Sequence, residues 1–89
     1  MILALDIGNT NITIGVYDQT KLLFVSRMAT DCSRMEDQYA IELRDILDMY
    51  GISLGDIEGA VISSVVPPLT NYILRAVRRL TKVNPICVG

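Results

Sequence analysis

The sequence predicts an α/β domain, and three observations carry that prediction. Apolar residues near the start run or alternate as they do in strands, two later stripes recur at helical spacing, and strand-like and helix-like segments then alternate. The 89 residues make at most one domain. A chain of this length buries only about 60–65% of the surface its unfolded form exposes, so its core is small.

Ile2 to Leu5 is a continuous apolar run ending at Asp6, the pattern of a buried strand. Ile12, Ile14 and Val16 alternate with Thr13, Gly15 and Tyr17, a second strand joined to the first by Gly8-Asn9-Thr10-Asn11. Asp18-Gln19-Thr20-Lys21 is a polar turn, and Leu22 to Arg27 returns as a third strand, completing an antiparallel meander. The period then changes. Tyr39, Leu43, Ile46, Leu47 and Tyr50 share one face of a helix over Arg34 to Tyr50, entered by the capping-box spacing Ser33-x-x-Glu36 and closed at Gly51. Ile57 to Ser63 is a short buried strand. Pro67-Pro68 opens a second helix with the stripe Leu69, Tyr72, Ile73, Ala76, Val77 and Leu80, and Arg78, Arg79 and Lys82 sit where positive charge suits its C-terminal dipole. Pro85 to Val88 starts a last strand.

The order β-β-β-α-β-α-β puts three antiparallel strands before two crossover units that need parallel pairing. A mixed sheet with helices packed on it, in this order, is a ribonuclease-H-like half-domain. The ending "PICVG" reaches a strand only at its first residues, so the chain reads as the N-terminal part of something longer, with an open sheet edge and marginal stability.

Composition removes several chemistries. With no histidine, Ser-His triads, Cys-His pairs and His-based metal sites are excluded within the chain, and any base must be a carboxylate. Cys32 and Cys87 form no Cys-x-x-Cys pair and read as reduced thiols of a cytoplasmic protein. A net charge of −2 does not favour nucleic acid or anionic lipid. No apolar run approaches the roughly 18–20 residues of a membrane span, and no basic segment precedes an apolar core as in a secretory signal.

Asp6 is the feature that ordinary core-building sequence does not explain. A carboxylate at the end of a buried strand, followed by Gly8 and by the donors of Asn9, Thr10, Asn11 and Thr13, fits a cradle in which Asp6 organises the Mg²⁺ of a bound nucleotide phosphate. Spacing alone favours a plain turn, since Gly, Asn and Thr are turn-formers and an Asp beside a turn often accepts backbone hydrogen bonds. Ser63 and Ser64 read first as helix-entry hydroxyls, with a phosphate contact as the alternative. Tyr39, Tyr50, Met35 and Met49 read as core or subunit-contact residues, and no second carboxylate is placed by sequence beside Asp6.

"LDIGNTNITIGVY" resembles the N-terminal phosphate motif of the type III pantothenate kinases, members of the sugar-kinase, Hsp70 and actin superfamily. "EDQYAIELRDIL" and "VISSVVPPLTNYI" resemble the family's next two blocks in the same order, and "NPICVG" the strand leading to the motif after them. The resemblance implies an actin-like ATPase half-domain and a single N-terminal lobe over residues 1–89. It implies phosphorylation of pantothenate by ATP to 4′-phosphopantothenate in coenzyme A synthesis, with Mg²⁺ and a monovalent cation, K⁺ or NH₄⁺, in a cytoplasmic homodimer that binds neither nucleic acid nor membrane. Carried over residue by residue, the ATP-phosphate loop is Asp6, Ile7, Gly8, Asn9, Thr10, Asn11, Ile12 and Thr13, with Asp6 toward Mg²⁺ through water. The family's Gly-x-Asp-Arg motif, whose Asp is the base, and its second lobe would lie beyond Gly89, so the chain alone is expected to be inactive. Two other functions stay open at this stage: a ribonuclease-H-like resolvase, and a non-enzymatic accessory protein of the Bvg accessory factor type.

Overall fold

Alternation in β1 (Ile2–Ile7) and β2 (Asn11–Asp18) sends Leu3, Leu5, Ile7, Ile12, Ile14 and Val16 to one face, where all are buried. The computed structural model describes residues 1–88; Gly89 of the predicted "PICVG" strand lies outside the described residues. β3 (Lys21–Ala29) completes the meander, β4 (Gly59–Ser64) pairs parallel to β1, and β5 (Ile86–Val88) pairs parallel to β4. The sheet order is β3-β2-β1-β4-β5, the mixed arrangement expected from the element order.

α1 (Glu36–Met49) and α2 (Pro67–Thr81) pack on each other and on the apolar face of the sheet. Tyr39, Leu43 and Leu47 from α1 and Leu69, Ile73 and Val77 from α2 are buried there, as their spacing requires. α1 ends where Gly51 adopts φ 75°, with Gly51 N–H donating to Asp48 O at 3.0 Å and Ile52 N–H to Leu47 O at 2.9 Å. This pair of bonds is a Schellman cap, and the left-handed residue it needs is glycine.

The start of α1 differs from expectation. The helix begins at Glu36 with Met35 as its cap residue, and Met35 N–H donates to the Gln38 carboxamide at 2.6 Å. Ser33 is unavailable as a cap because its N–H and hydroxyl both donate to the Asp31 carboxylate, at 2.9 and 2.6 Å. Met35 and Met49 are exposed rather than core, while Tyr50 stacks on Phe24 with ring centroids 4.0 Å apart. Arg79 of the predicted solvated helix end instead crosses to Glu36 and Asp37 of α1.

Candidate phosphate site

Both helices cover one face of the sheet, so the opposite face shows what the strands carry at each register position. Asp6 pairs with Thr13 of β2 on one side and with Ser63 of β4 on the other, and Thr13 pairs in turn with Arg27 of β3. Residues in register share a face. A row of cation, hydroxyl, carboxylate and hydroxyl, Arg27–Thr13–Asp6–Ser63, therefore crosses the uncovered face. Asp6 and Thr13 help line an open concavity of about 280 Å³ with Ala4, Tyr17, Val61 and Ser63. β1 continues one residue past Asp6, which is exposed and lies inside the strand rather than beyond it.

A wider concavity of about 540 Å³ lies at Arg44, Asp48, Ser53 and Gly55. It belongs to the other end of the parallel strands, where the Met1 amino group donates to Asp56 O at 2.9 Å. Ligands of open α/β sheets lie outside the carboxyl ends of the strands, and the Gly8-Asn9-Thr10-Asn11 turn that follows β1, next to Asp6, meets that condition.

The turn after β1 closes through Gly8 N–H donating to Asn11 O at 2.9 Å. A Cβ at position 8 would stand 3.1 Å from that same carbonyl oxygen, tighter than side chains ordinarily tolerate, so glycine is what lets the turn close. Among the described residues no group accepts from the amide N–H of Asn9 or Thr10. Two unpartnered amides on consecutive exposed residues, with exposed Asn11 next to them, form a donor set suited to phosphate oxygens. Ile7 and Ile12 point the other way. Both side chains are fully buried in the core, and Ile7 O already accepts from Val65 N–H at 3.0 Å, which leaves them the role of anchoring the turn to the core.

Two residues that sequence reasoning did not assign, Arg27 and Thr30, border this site together with Ser63 and Ser64, which it read first as helix-entry hydroxyls. Ser63 and Ser64 divide their labour: Ser64 Oγ accepts from Val66 N–H at 3.1 Å and from Thr70 Oγ1 at 2.9 Å, tying the entry of α2, while Ser63 faces the row with Asp6. Arg27 joins the row by pairing alone, a fact that only strand register reveals. Thr30, just past β3, donates through Oγ1 to Gly8 O at 2.7 Å and through N–H to Thr10 O at 3.0 Å. Beyond it the Asp31 carboxyl is held below the usual aspartate range, by the Ser33 hydroxyl first and the Ser33 amide second. Among the described residues no three His, Cys, Asp or Glu side chains gather as a metal cluster.

Comparison with known proteins bears on the fold and the family. The solved structures include the putative N-acetylglucosamine kinase of Porphyromonas gingivalis, which superposes over 99% of this chain and 33% of its own with a TM-score of 0.71 at 18% identity. The ROK hexokinase of Thermus thermophilus superposes over 98% and 32%, with a TM-score of 0.69 at 20% identity. Likeness at that level establishes the fold, the actin-like ATPase half-domain of sugar kinases. Type III pantothenate kinases of Bacillus cytotoxicus and Halalkalibacterium halodurans are 42% and 40% identical over all 89 residues. The chain spans about a third of the length of these curated relatives, 34% and 35% respectively. No helix is long and apolar enough to cross a membrane. The family model described as type III pantothenate kinase matches residues 2–89, and the chain belongs to that family.

Proposed function

We propose that this chain is the N-terminal nucleotide-phosphate-binding lobe of a kinase that transfers the γ-phosphoryl group of ATP to the hydroxyl of pantothenate, giving 4′-phosphopantothenate for coenzyme A synthesis. The observation that carries the reading is the exposed Asp6 set between Thr13 and Ser63, beside a turn with two free amides. In this reading the amides of Asn9 and Thr10 and the side chains of Asn9, Thr10, Asn11 and Thr13 donate to the phosphate oxygens of ATP and hold the chain of phosphates in line for attack.

The donor set also fits Mg²⁺. This ion keeps several waters and takes one or two carboxylates together with substrate phosphates, which is what a lone exposed Asp6 provides and what a closed cage of carboxylates would not. Bound there, Mg²⁺ supplies charge neutralisation on the phosphate oxygens. Asp6 would hold it through water, and without the ion an acid so close to a phosphate would repel it. The base that accepts the pantothenate proton, the ligand of a monovalent cation such as K⁺ or NH₄⁺, and the lobe that closes over ATP belong in this reading to the remainder of the kinase, a cytoplasmic homodimer.

The test is phosphorylation by the full-length protein with Mg²⁺-ATP and pantothenate, in K⁺ and in Na⁺. Formation of 4′-phosphopantothenate, faster in K⁺, is expected, whereas the 89-residue chain alone is expected to give none. A full-length protein that binds Mg²⁺-ATP and leaves pantothenate untouched would overturn the substrate assignment.

A further inference from the structure

The turn that bears the free amides does not hold its shape by itself. Gly8 O accepts from Thr30 Oγ1 at 2.7 Å, and a trans peptide points its carbonyl and its N–H in opposite directions, so this bond aims the Asn9 amide away from Thr30. Thr10 O accepts from Thr30 N–H at 3.0 Å, which aims the Asn11 amide away in the same manner. One residue thereby sets two peptide planes of the turn.

Thr30 is itself clamped. The hydroxyl of Tyr39, a fully buried side chain of α1, accepts from Asp31 N–H at 3.0 Å and donates to Asp31 O at 2.5 Å, pinning the peptides on both sides of Asp31. The Arg34 guanidinium lies 4.8 Å from the centre of the Tyr39 ring. It is held there by Glu42 at 2.9 Å and by Gln38 O at 3.1 Å. A continuous line of contacts thus runs from the core of α1 through Tyr39, Asp31 and Thr30 to the turn.

We propose that Thr30, clamped by Tyr39, is the positioning residue of the phosphate turn: its hydroxyl presets the Gly8–Asn9 peptide plane that presents the Asn9 amide to the ATP phosphates, and its own N–H steadies the Thr10–Asn11 plane beyond it. The proposal rests on the kinase reading above. A turn preset in this way avoids the cost of ordering its donors on binding. Its loss should weaken nucleotide binding and leave the acceptor substrate alone.

The experiment uses the full-length kinase and titrates the Mg²⁺ complex of an imido-bridged, non-hydrolysable ATP analogue by calorimetry, with steady-state kinetics alongside. Thr30→Val keeps the shape and removes the hydroxyl, and is expected to raise Kd and the ATP KM about five- to tenfold, the loss of one hydrogen bond to a part-buried acceptor. The pantothenate KM should stay at the parental value. Thr30→Ser, which restores the hydroxyl, should return Kd to within about twofold. Thr30→Val binding as tightly as the parent, or Thr30→Ser binding as weakly as Thr30→Val, would overturn the proposal. Should Thr30→Val fail to fold, Tyr39→Phe decides: a Kd raised about threefold supports the clamp, and an unchanged Kd overturns it. A parental protein that does not bind the analogue fails differently, because it removes the kinase reading before any variant is compared.

Discussion

Replacing Asp6 by Asn separates the fold from the chemistry more sharply than any other single change. The side chain is exposed and makes no hydrogen bond or ion pair among the described residues, and its two in-register neighbours are small hydroxyl residues that an amide accommodates. A surface substitution of this kind shifts stability by no more than about 0.5 kcal/mol. Unfolding entropy of about 2.1 cal/mol/K per residue comes to about 185 cal/mol/K here, so Tm should move by less than about 3 °C. Activity should respond on another scale. Removing a preorganised group that acts on transition-state charge costs about 10²- to 10³-fold in rate, or about 2.7–4 kcal/mol. The assay pairs thermal denaturation of Asp6→Asn with its rate of pantothenate phosphorylation in the full-length enzyme, over a range of Mg²⁺ concentrations. Parental turnover with an unchanged Mg²⁺ dependence would refute the assignment of Asp6. A Tm lowered by about 10 °C or more would refute the claim that its place in the sheet is structurally idle.

Three further outcomes test the fold that supports the site. Ile14→Ala empties a fully buried core position and should cost about 2–5 kcal/mol, a large part of the stability of so small a chain, measured as a lower urea midpoint. Lys82 closes α2 at φ 63°, a left-handed conformation, and Lys82→Gly should stabilise by about 0.5–1 kcal/mol; a lower Tm would show that the lysine side chain, not its backbone, matters there. Because Asp31 has its folded-state pKa depressed, its contribution is fully present above the ordinary aspartate value of about 3.9 and is lost as pH falls through the lower folded value. Parent and Asp31→Asn should accordingly differ in stability near neutral pH and converge in strong acid. A carboxyl titration midpoint for Asp31 at or above about 3.9 would contradict the turn it forms with Ser33.

Features written in short-range pattern were legible before any coordinates. Period-two alternation placed Ile12, Ile14 and Val16 on one face, and a glycine one step past an apolar stripe marked the end of α1. The failures share a cause, which is competition from partners distant in sequence or from a neighbouring turn. Ser33 has the spacing of a helix cap but is taken first by the nearer Asp31 carboxylate. β3 runs two residues beyond its predicted end at Arg27, since Met28 and Ala29 pair with Ile12 and Asn11, an extension that depends on where β2 begins. Ser63 and Ser64 are indistinguishable as a dipeptide, and only the alternation of β4 sends one to the uncovered face and the other to the entry of α2.

The same reasoning explains why the candidate site was visible at Asp6 and the part proposed for Thr30 was not. Strand, acid and glycine-led turn are contiguous, so the string "DIGNTN" displays them together. The groups that hold the turn come from the end of β3 and from α1, and neither segment carries a local mark of that task. Thr30 follows a strand of ordinary composition, and Tyr39 sits on an apolar stripe where any large side chain would fill the core. What sets Tyr39 apart is that its hydroxyl meets both backbone polar groups of Asp31, so a phenylalanine would pack as well but leave the Asp31 N–H unpartnered, while Asp31 O would keep only the Arg34 N–H. In the proposed role, a turn that donates to phosphate needs open amides and fixed peptide planes together. The fold reconciles the two by leaving the Asn9 and Thr10 amides without a protein acceptor among the described residues while bonding the carbonyls of Gly8 and Thr10, on either side of Asn9, to Thr30.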